Sequence, residues 1–324
     1  MIIKKSDLLV FTIPLTIMLI VVIFGIKSFH LWEQVVILWK DDFPISNVLS
    51  HPHGPRYLLV YPIFVVSSLL SISYNFLFSL LTAFITASMI YLNVKAIGHF
   101  LKRNLNIHEA LIIGTIFISI TMFMNGRIIF SLLGSSLFLY LISNNPSTAK
   151  TLILTFASVA LCSVSSGTIM ILTFWSLVYM LIFKKKSIIE HLIVLFSFVS
   201  FFFLFGPYFI RITNKNINYY GSGLEGVLNM LSHGAGKIFF IDKFYLALVT
   251  ALLISLVVIT FIIIALLNKF IVKKELVLLF TLLFIGLSGG LFGFSTLAVS
   301  LPLVVILAFV LFEDLVHPTF NQTL

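Results

Sequence analysis

Charge is what this 324-residue sequence most lacks: Asp and Glu together number 11, and charged residues of both signs make up 10% of the chain. So few charges cannot cover a water-soluble domain. With 60% hydrophobic residues and a mean hydropathy of +1.17, the soluble classes, metabolic enzymes among them, are excluded. The one cysteine, Cys162, lies in an apolar stretch, which excludes an intrachain disulfide and reads as a small buried hydrophobe. Gly and Ala are scarce beside 35 Phe. A water-filled pore or tightly crossed helix pairs would want more small residues, so the apolar mass is expected to be bulky and lipid-facing. Acids and histidines are missing altogether from 8–28, 110–189 and 244–274. The intramembrane acid that proton- or sodium-coupled transport usually needs is therefore not evident. A phosphate-cradling Gly-rich loop is missing too, as are HExxH, GxSxG and a Ser-Lys dyad at one span end. Those absences exclude an ATP-driven pump within this chain and leave an intramembrane protease without support.

What is present is a series of eleven apolar runs: 8–28, 57–73, 75–94, 109–124, 128–143, 151–165, 168–183, 191–210, 244–267, 276–291 and 294–312. A helical span takes roughly 20 apolar residues, and backbone polar groups cannot be left open in lipid. The runs lack strand alternation, so the expected fold is all-α. It is a polytopic transmembrane helical bundle of 10–11 spans, forming a single integral membrane domain over 1–324. Lys4 and Lys5 precede a run with no small-residue cleavage site after it, which reads as a retained first span.

The net charge of +9 is gathered into short clusters at Lys4/Lys5, Lys95/Lys102/Arg103, Lys184–Lys186 and Lys269/Lys273/Lys274. No continuous basic surface for nucleic acid results. The pattern is that of cytoplasmic loops, and it places the chain in a membrane with these clusters inside. Seven runs separate Lys5 from Lys184, an odd number, so one must not cross. The weakest is 57–73, with Tyr57, Tyr61 and Pro62, which reads as re-entrant or interfacial; the rival is eleven crossings with an outside N-terminus. On the first reading two long polar stretches, 29–56 and 211–243, form extracytoplasmic loops.

The first loop holds the densest polar constellation: Trp39-Lys40-Asp41-Asp42-Phe43-Pro44, then His51-Pro52-His53-Gly54-Pro55-Arg56-Tyr57. Paired acids at Asp41 and Asp42 suit either a divalent metal shared with a pyrophosphate or a general base for a sugar hydroxyl. They suit equally an ordinary solvated loop. His51 and His53, spaced i, i+2, match no standard zinc pattern; no metal ligand set and no cofactor is expected. Arg56 at the lip of an apolar segment can clamp a phosphate bidentately or snorkel to headgroups. Arg127 interrupts a long apolar stretch in the company of Asn125 and Gly126. It serves as a short turn's headgroup anchor or, folded into the bundle, as the binding group for an anion arriving from the membrane. In the second loop Arg211, Tyr219, Tyr220, His233 and Lys237 offer ring faces and hydrogen bonds of the kind a carbohydrate wants, though Tyr and Lys also populate interfacial belts.

An Asp-bearing outer loop, Gly54-Pro55-Arg56-Tyr57 opening an apolar segment, Ser73-Tyr74-Asn75-Phe76 opening a span, and Asn125-Gly126-Arg127 before another together resemble the EpsG-like and Wzy-type O-antigen polymerases. The likeness covers roughly 40–183. It departs at Ile128, where that family often has Gln, and at Ser165-Ser166, where it has His. The resemblance implies a bacterial inner-membrane enzyme that joins polyprenyl-pyrophosphate-linked oligosaccharide repeats at the extracytoplasmic face. It would work among membrane lipids and other polysaccharide assembly proteins. Arg127, with Arg56 and Arg211, would neutralise the departing pyrophosphate while Asp41 or Asp42 activates the acceptor hydroxyl. The alternatives are a membrane glycosyltransferase using a lipid-phosphate sugar and a non-enzymatic flippase or transporter.

The charge pattern sets a test of sidedness. In a Cys162→Ser background, single cysteines at Ser46, Asn125 and Asn216 are expected to react with an impermeant thiol reagent from outside, while one at Ser187 does not. Labelling at 125 and 216 without labelling at 46 would put the first loop on the opposite side from Arg127.

Overall fold

The structure, a computed structural model, describes residues 5–184, 187–231, 274–290 and 297–316, with isolated positions at 252, 255 and 259. It is all-helical, as expected, with no strand among the described residues. The helices are α1 (Lys5–Ile23), α2 (Glu33–Lys40), α3 (Gly54–Leu70), α4 (Tyr74–Phe100), α5 (Ile107–Phe123), α6 (Gly126–Asn144), α7 (Thr148–Leu161), α8 (Ser166–Val178), α9 (Ile188–Tyr220), α10 (Gly223–Leu231), α11 (Lys274–Gly290) and α12 (Leu301–Val316). Three of them, α4, α6 and α9, are long and apolar enough to cross a membrane, and seven shorter apolar helices accompany them. Apart from those three isolated positions, the run 244–267 lies outside the described residues, as do Lys269 and Lys273.

Boundaries follow local chemistry. Asn106 with Glu109, and Ser187 with Glu190, close reciprocal capping boxes at the starts of α5 and α9. The Asn125 side chain accepts the Ile128 N–H at 3.1 Å to start α6. Gly54 and Pro55 open α3, where Pro is tolerated because the first N–H groups of a helix have no partner in it.

Side-chain contacts fix the helix directions. Asp7 on α1 pairs with Lys95 on α4 at 2.6 Å, while Ser79 near the start of α4 exchanges hydrogen bonds of 3.0 Å with the backbone of Phe29 beyond the end of α1. The two helices are therefore antiparallel. α4 and α6 run parallel: the Phe78 and Phe130 rings stack with centroids 6.1 Å apart, and Asn93 donates to Ser136 at 2.8 Å. The bundle thus has a basic end and an opposite, upper end. At the basic end Arg103 grips Glu109 of α5 at 2.6 Å and Glu313 of α12 at 2.8 Å. There too, Lys184 donates to the Pro146 carbonyl and Thr148 donates to Glu190. At the upper end lie the starts of α4, α6 and α8.

Small polar residues fill the interior more than composition suggests. Thr82, Thr86, Asn93, Thr121, Ser131, Ser135 and Ser136 are buried, and most return their hydroxyls to a carbonyl one turn back. Ser and Thr thus do the close-approach work expected of Gly and Ala, and α4 and α6 cross tightly after all. At Gly134 an added Cβ would lie 2.6 Å from the Cys162 sulfur and 2.7 Å from the Ser158 carbonyl oxygen. Cys162 is fully buried there, as its sequence setting suggested.

The segment between α1 and α4 is helical in parts rather than a plain loop. α2 and a 3-10 turn over Ile45–Ser50 dock on α3. The 17 residues of α3 span about 25 Å. Its first turn faces Arg127 at the start of α6, and its Phe64 ring meets Tyr74 at the start of α4, with centroids 5.5 Å apart. A left-handed Ser71 (φ 53°) then turns the chain into α4. Both ends of α3 therefore lie at the upper end of the bundle.

Gly134→Ala is expected to force α6 and α7 apart and cost about 1–3 kcal/mol, read as a lowered melting temperature in detergent. Gly206→Ala in α9, where nothing lies within 4 Å of the new Cβ, leaves stability unchanged or raises it by up to about 1 kcal/mol. Equal losses in the two variants would contradict the α6–α7 contact.

Candidate functional site

Positive charge collects at the upper end. Its scaffold is the 3-10 turn, the first turn of α3, the first turn of α6 and the outer third of α9. An added Cβ at Gly54 would sit 1.6 Å from the Val48 carbonyl oxygen, so only glycine lets the 3-10 turn press on the start of α3. That contact sets His53, the residue before the helix, and Arg56 in its first turn, side by side.

Arg56 is 9% exposed. Its Nε is buried with no hydrogen-bond partner, and no described acid pairs with its guanidinium. The charge of Arg127, half-buried at the start of α6, acts on both Arg56 and His53. From α9, Tyr208 is 2% exposed and its hydroxyl lies in the field of Arg56. One turn further out, Arg211 donates to the Leu49 carbonyl at 3.3 Å, and Lys215 Nζ meets His53 Nε2 at 3.3 Å.

The histidines respond to this environment. Burial, then the charges of Arg56 and Lys215, pushes His53 down to about 4 from its usual 6.5. His51 is lowered in the same direction, by burial and then by Lys215 and Arg56. Its Nδ1 accepts the His53 backbone N–H at 3.1 Å. Both rings are thus neutral at pH 7, and the permanent charge comes from guanidinium and ammonium groups. Such a constellation can hold an oxyanion: fixed cations in a partly buried setting, with two helix N-termini, those of α3 and α6, contributing N–H groups of the same sign.

The residues expected from sequence fall into three groups. Arg56 and Arg127 come together, both acting on His53, and Arg211 reaches the 3-10 turn beside them through the Leu49 carbonyl. Asp41 and Asp42 are exposed at the end of α2, Asp42 with a left-handed backbone (φ 47°) and its charge felt by Tyr57. Tyr57 is 1% exposed, its ring enclosed by Phe43, Tyr61 and Phe64, so it packs the upper layer and offers no open face. Tyr219 and Tyr220 meet edge to face at 4.7 Å at the far end of α9, with Tyr219 70% exposed. His233 and Lys237 lie outside the described residues.

Sequence reasoning weighed His53 only against zinc spacing and gave Lys215 and Tyr208 no role in a site. A signal for His53 existed: Gly-Pro after it marks a helix start, so the histidine had to stand at the N-cap beside Arg56. Lys215 and Tyr208 carried none, since only the rise of α9 over the 3-10 turn brings them in.

Comparison with protein-family models, with curated proteins and with solved structures gave no match.

Because the folded value of His53 lies below its ordinary one, the unfolded chain takes up that proton first as pH falls. Stability is therefore expected to decline from about pH 6.5 towards about 4. His53→Gln should flatten that part of a plot of melting temperature against pH; an identical slope in the variant would exclude His53 as its source.

Proposed function

We propose that the chain is a multi-pass protein of a bacterial cytoplasmic membrane whose upper end faces outward, and that it is a polysaccharide polymerase acting on lipid-pyrophosphate-linked oligosaccharide repeats. The observation that carries this reading is Arg56, nine-tenths buried, with no described acid beside it and with the charge of Arg127 acting on it. A buried cation is costly unless an anion or strong acceptors compensate it. The charge of Arg127 acting on Arg56 makes that cost larger, and a diphosphate held at Arg56 would relieve it.

On this topology the basic clusters lie inside and α3 is an interfacial helix that does not cross, with both ends at the outward face. The charge rule and the helix directions support it. An anion reaching this layer from the membrane is one carried by a lipid.

In the reaction, an acceptor hydroxyl oxygen attacks the anomeric carbon of the donor sugar. The bond from that carbon to the pyrophosphate oxygen breaks, its electron pair leaves on the oxygen, and the hydroxyl proton passes to a base. Arg56, Arg127 and Arg211 stabilise the charge that grows on the leaving oxygen, the kind of preorganised electrostatic help that is usually the largest catalytic contribution. Asp42, whose charge reaches Tyr57 beside Arg56, accepts the proton.

In a host whose surface polymer depends on this gene, Arg56→Ala and Arg127→Ala should each lower polymer formation by about 10²–10³-fold. The extracted glycan would then run as single repeats on the lipid. Truncated or undecorated repeats would point instead to a glycosyltransferase, and unchanged polymer in the double variant would remove the reading.

A further inference from the structure

His53 presents a feature that neither a capping nor a packing role explains. It stands at the N-cap of α3, yet its side chain makes no cap hydrogen bond. Its Nδ1 is buried and has no hydrogen-bond partner among the described residues. At the other ring nitrogen, Nε2 faces the Lys215 ammonium at 3.3 Å. An ammonium has only N–H to give, so Nε2 is the acceptor. The single proton of the neutral ring is then on Nδ1, a donor turned into the protein with nothing to receive it.

Arg56 stands three residues on, in the first turn of α3. It is more than nine-tenths buried, and its Nε, a donor, is enclosed with no hydrogen-bond partner among the described residues either. Two buried donors without acceptors, on the same helical turn, with the first N–H groups of α3 between them, describe the surroundings of an oxyanion.

We infer that His53 is a ligand of that oxyanion, giving its Nδ1–H to the same phosphate group that Arg56 holds, and that Lys215 positions it by fixing the ring in the Nδ1–H tautomer. The charged and titratable groups acting on His53 are Arg56, Lys215, His51 and Arg127. A fourth permanent cation among them would add repulsion, whereas a neutral N–H adds a directed bond without it. The inference rests on the anion site proposed above but not on polymerisation.

The test uses the full chain in detergent at pH 7.5, with calorimetric binding of inorganic pyrophosphate and of farnesyl diphosphate. His53→Phe is expected to weaken both by about ten- to a hundredfold, the range for a hydrogen bond to a charged group. His53→Asn places an amide N–H where Nδ1–H stands and keeps binding within about threefold. Lys215→Met weakens binding and shifts the His53 ring ¹⁵N signals from the Nδ1–H to the Nε2–H tautomer, a change that lost packing alone would not produce. Tighter binding of farnesyl diphosphate assigns the anion to a lipid carrier; tighter binding of pyrophosphate assigns it to a soluble phosphate. Parental affinity in His53→Phe, with binding lost in Arg56→Ala, would overturn the role of His53 and leave the anion site standing. Parental affinity in Arg56→Ala would overturn the site itself. An unmoved tautomer in Lys215→Met would remove Lys215 from the inference.

Discussion

The parallel packing of α4 on α6 is the constraint from which the rest of the molecule follows. Two neighbours can run parallel only if the helix between them, α5, returns antiparallel, and Thr86 of α4 meets Thr121 of α5 at 3.4 Å in that arrangement. Register is set by Asn93, fully buried, whose amide bonds Ser136 across the interface. In apolar surroundings such a bond is worth about 1–2 kcal/mol at most, but a slip of one turn would strand both groups. With register fixed, the start of α6 is level with the start of α4. Arg127 then stands beside whatever the chain from α1 to α4 builds at that end.

Charge is sorted along the same axis. At the basic end three carboxylates are matched by cations: Asp7 with Lys95, and Glu109 and Glu313 together with Arg103. These contacts are partly exposed, and each adds on the order of 1 kcal/mol or less. Their geometric effect is larger, because Arg103 ties the turn after α4 to α5 and to α12. At the upper end the described acids lie outside on the surface while Arg56 is enclosed. Matched charges hold one end together, and an enclosed cation without an acid makes the other receptive to an anion.

Much of the fold was readable because helix limits are written in local chemistry. Apolar runs predicted most of the described long helices to within a few residues, and Asn106, Asn125 and Ser187 mark starts by caps visible in sequence. The odd count of runs between Lys5 and Lys184 marked 57–73 as the weakest run, and it folds as the helix α3. What composition could not give was the interior. Ser and Thr look polar in a tally, yet in a helix their hydroxyls bond back to the carbonyl a turn earlier and then pack as small residues. The site was legible in its arginines, which apolar surroundings make conspicuous. It was illegible in His53, judged by zinc spacing when its neighbours were cations, and in Lys215, which depends on the tilt of a 33-residue helix.

α3 joins two of the helix starts that form the upper end. A helix laid across one end of a bundle keeps its terminal N–H and C=O groups near the polar boundary instead of sinking them in hydrocarbon. The rings of Tyr57, Tyr61 and Phe64 on α3 pack with one another, with Trp39 of α2, which stacks on Phe64, and with Tyr74 of α4. The N-terminus of α3 is the part left for a ligand, where the partial positive charge of the helix adds to Arg56 and the partner helix α6 adds a second such end with Arg127. On the proposed topology, in which α3 is interfacial, its N-terminus would meet a phosphate at the depth where a lipid carries one. A crossing helix would have presented Arg56 and Leu70 at opposite ends, and the two arginines could then have met only by burying a charged turn in the middle of the bundle.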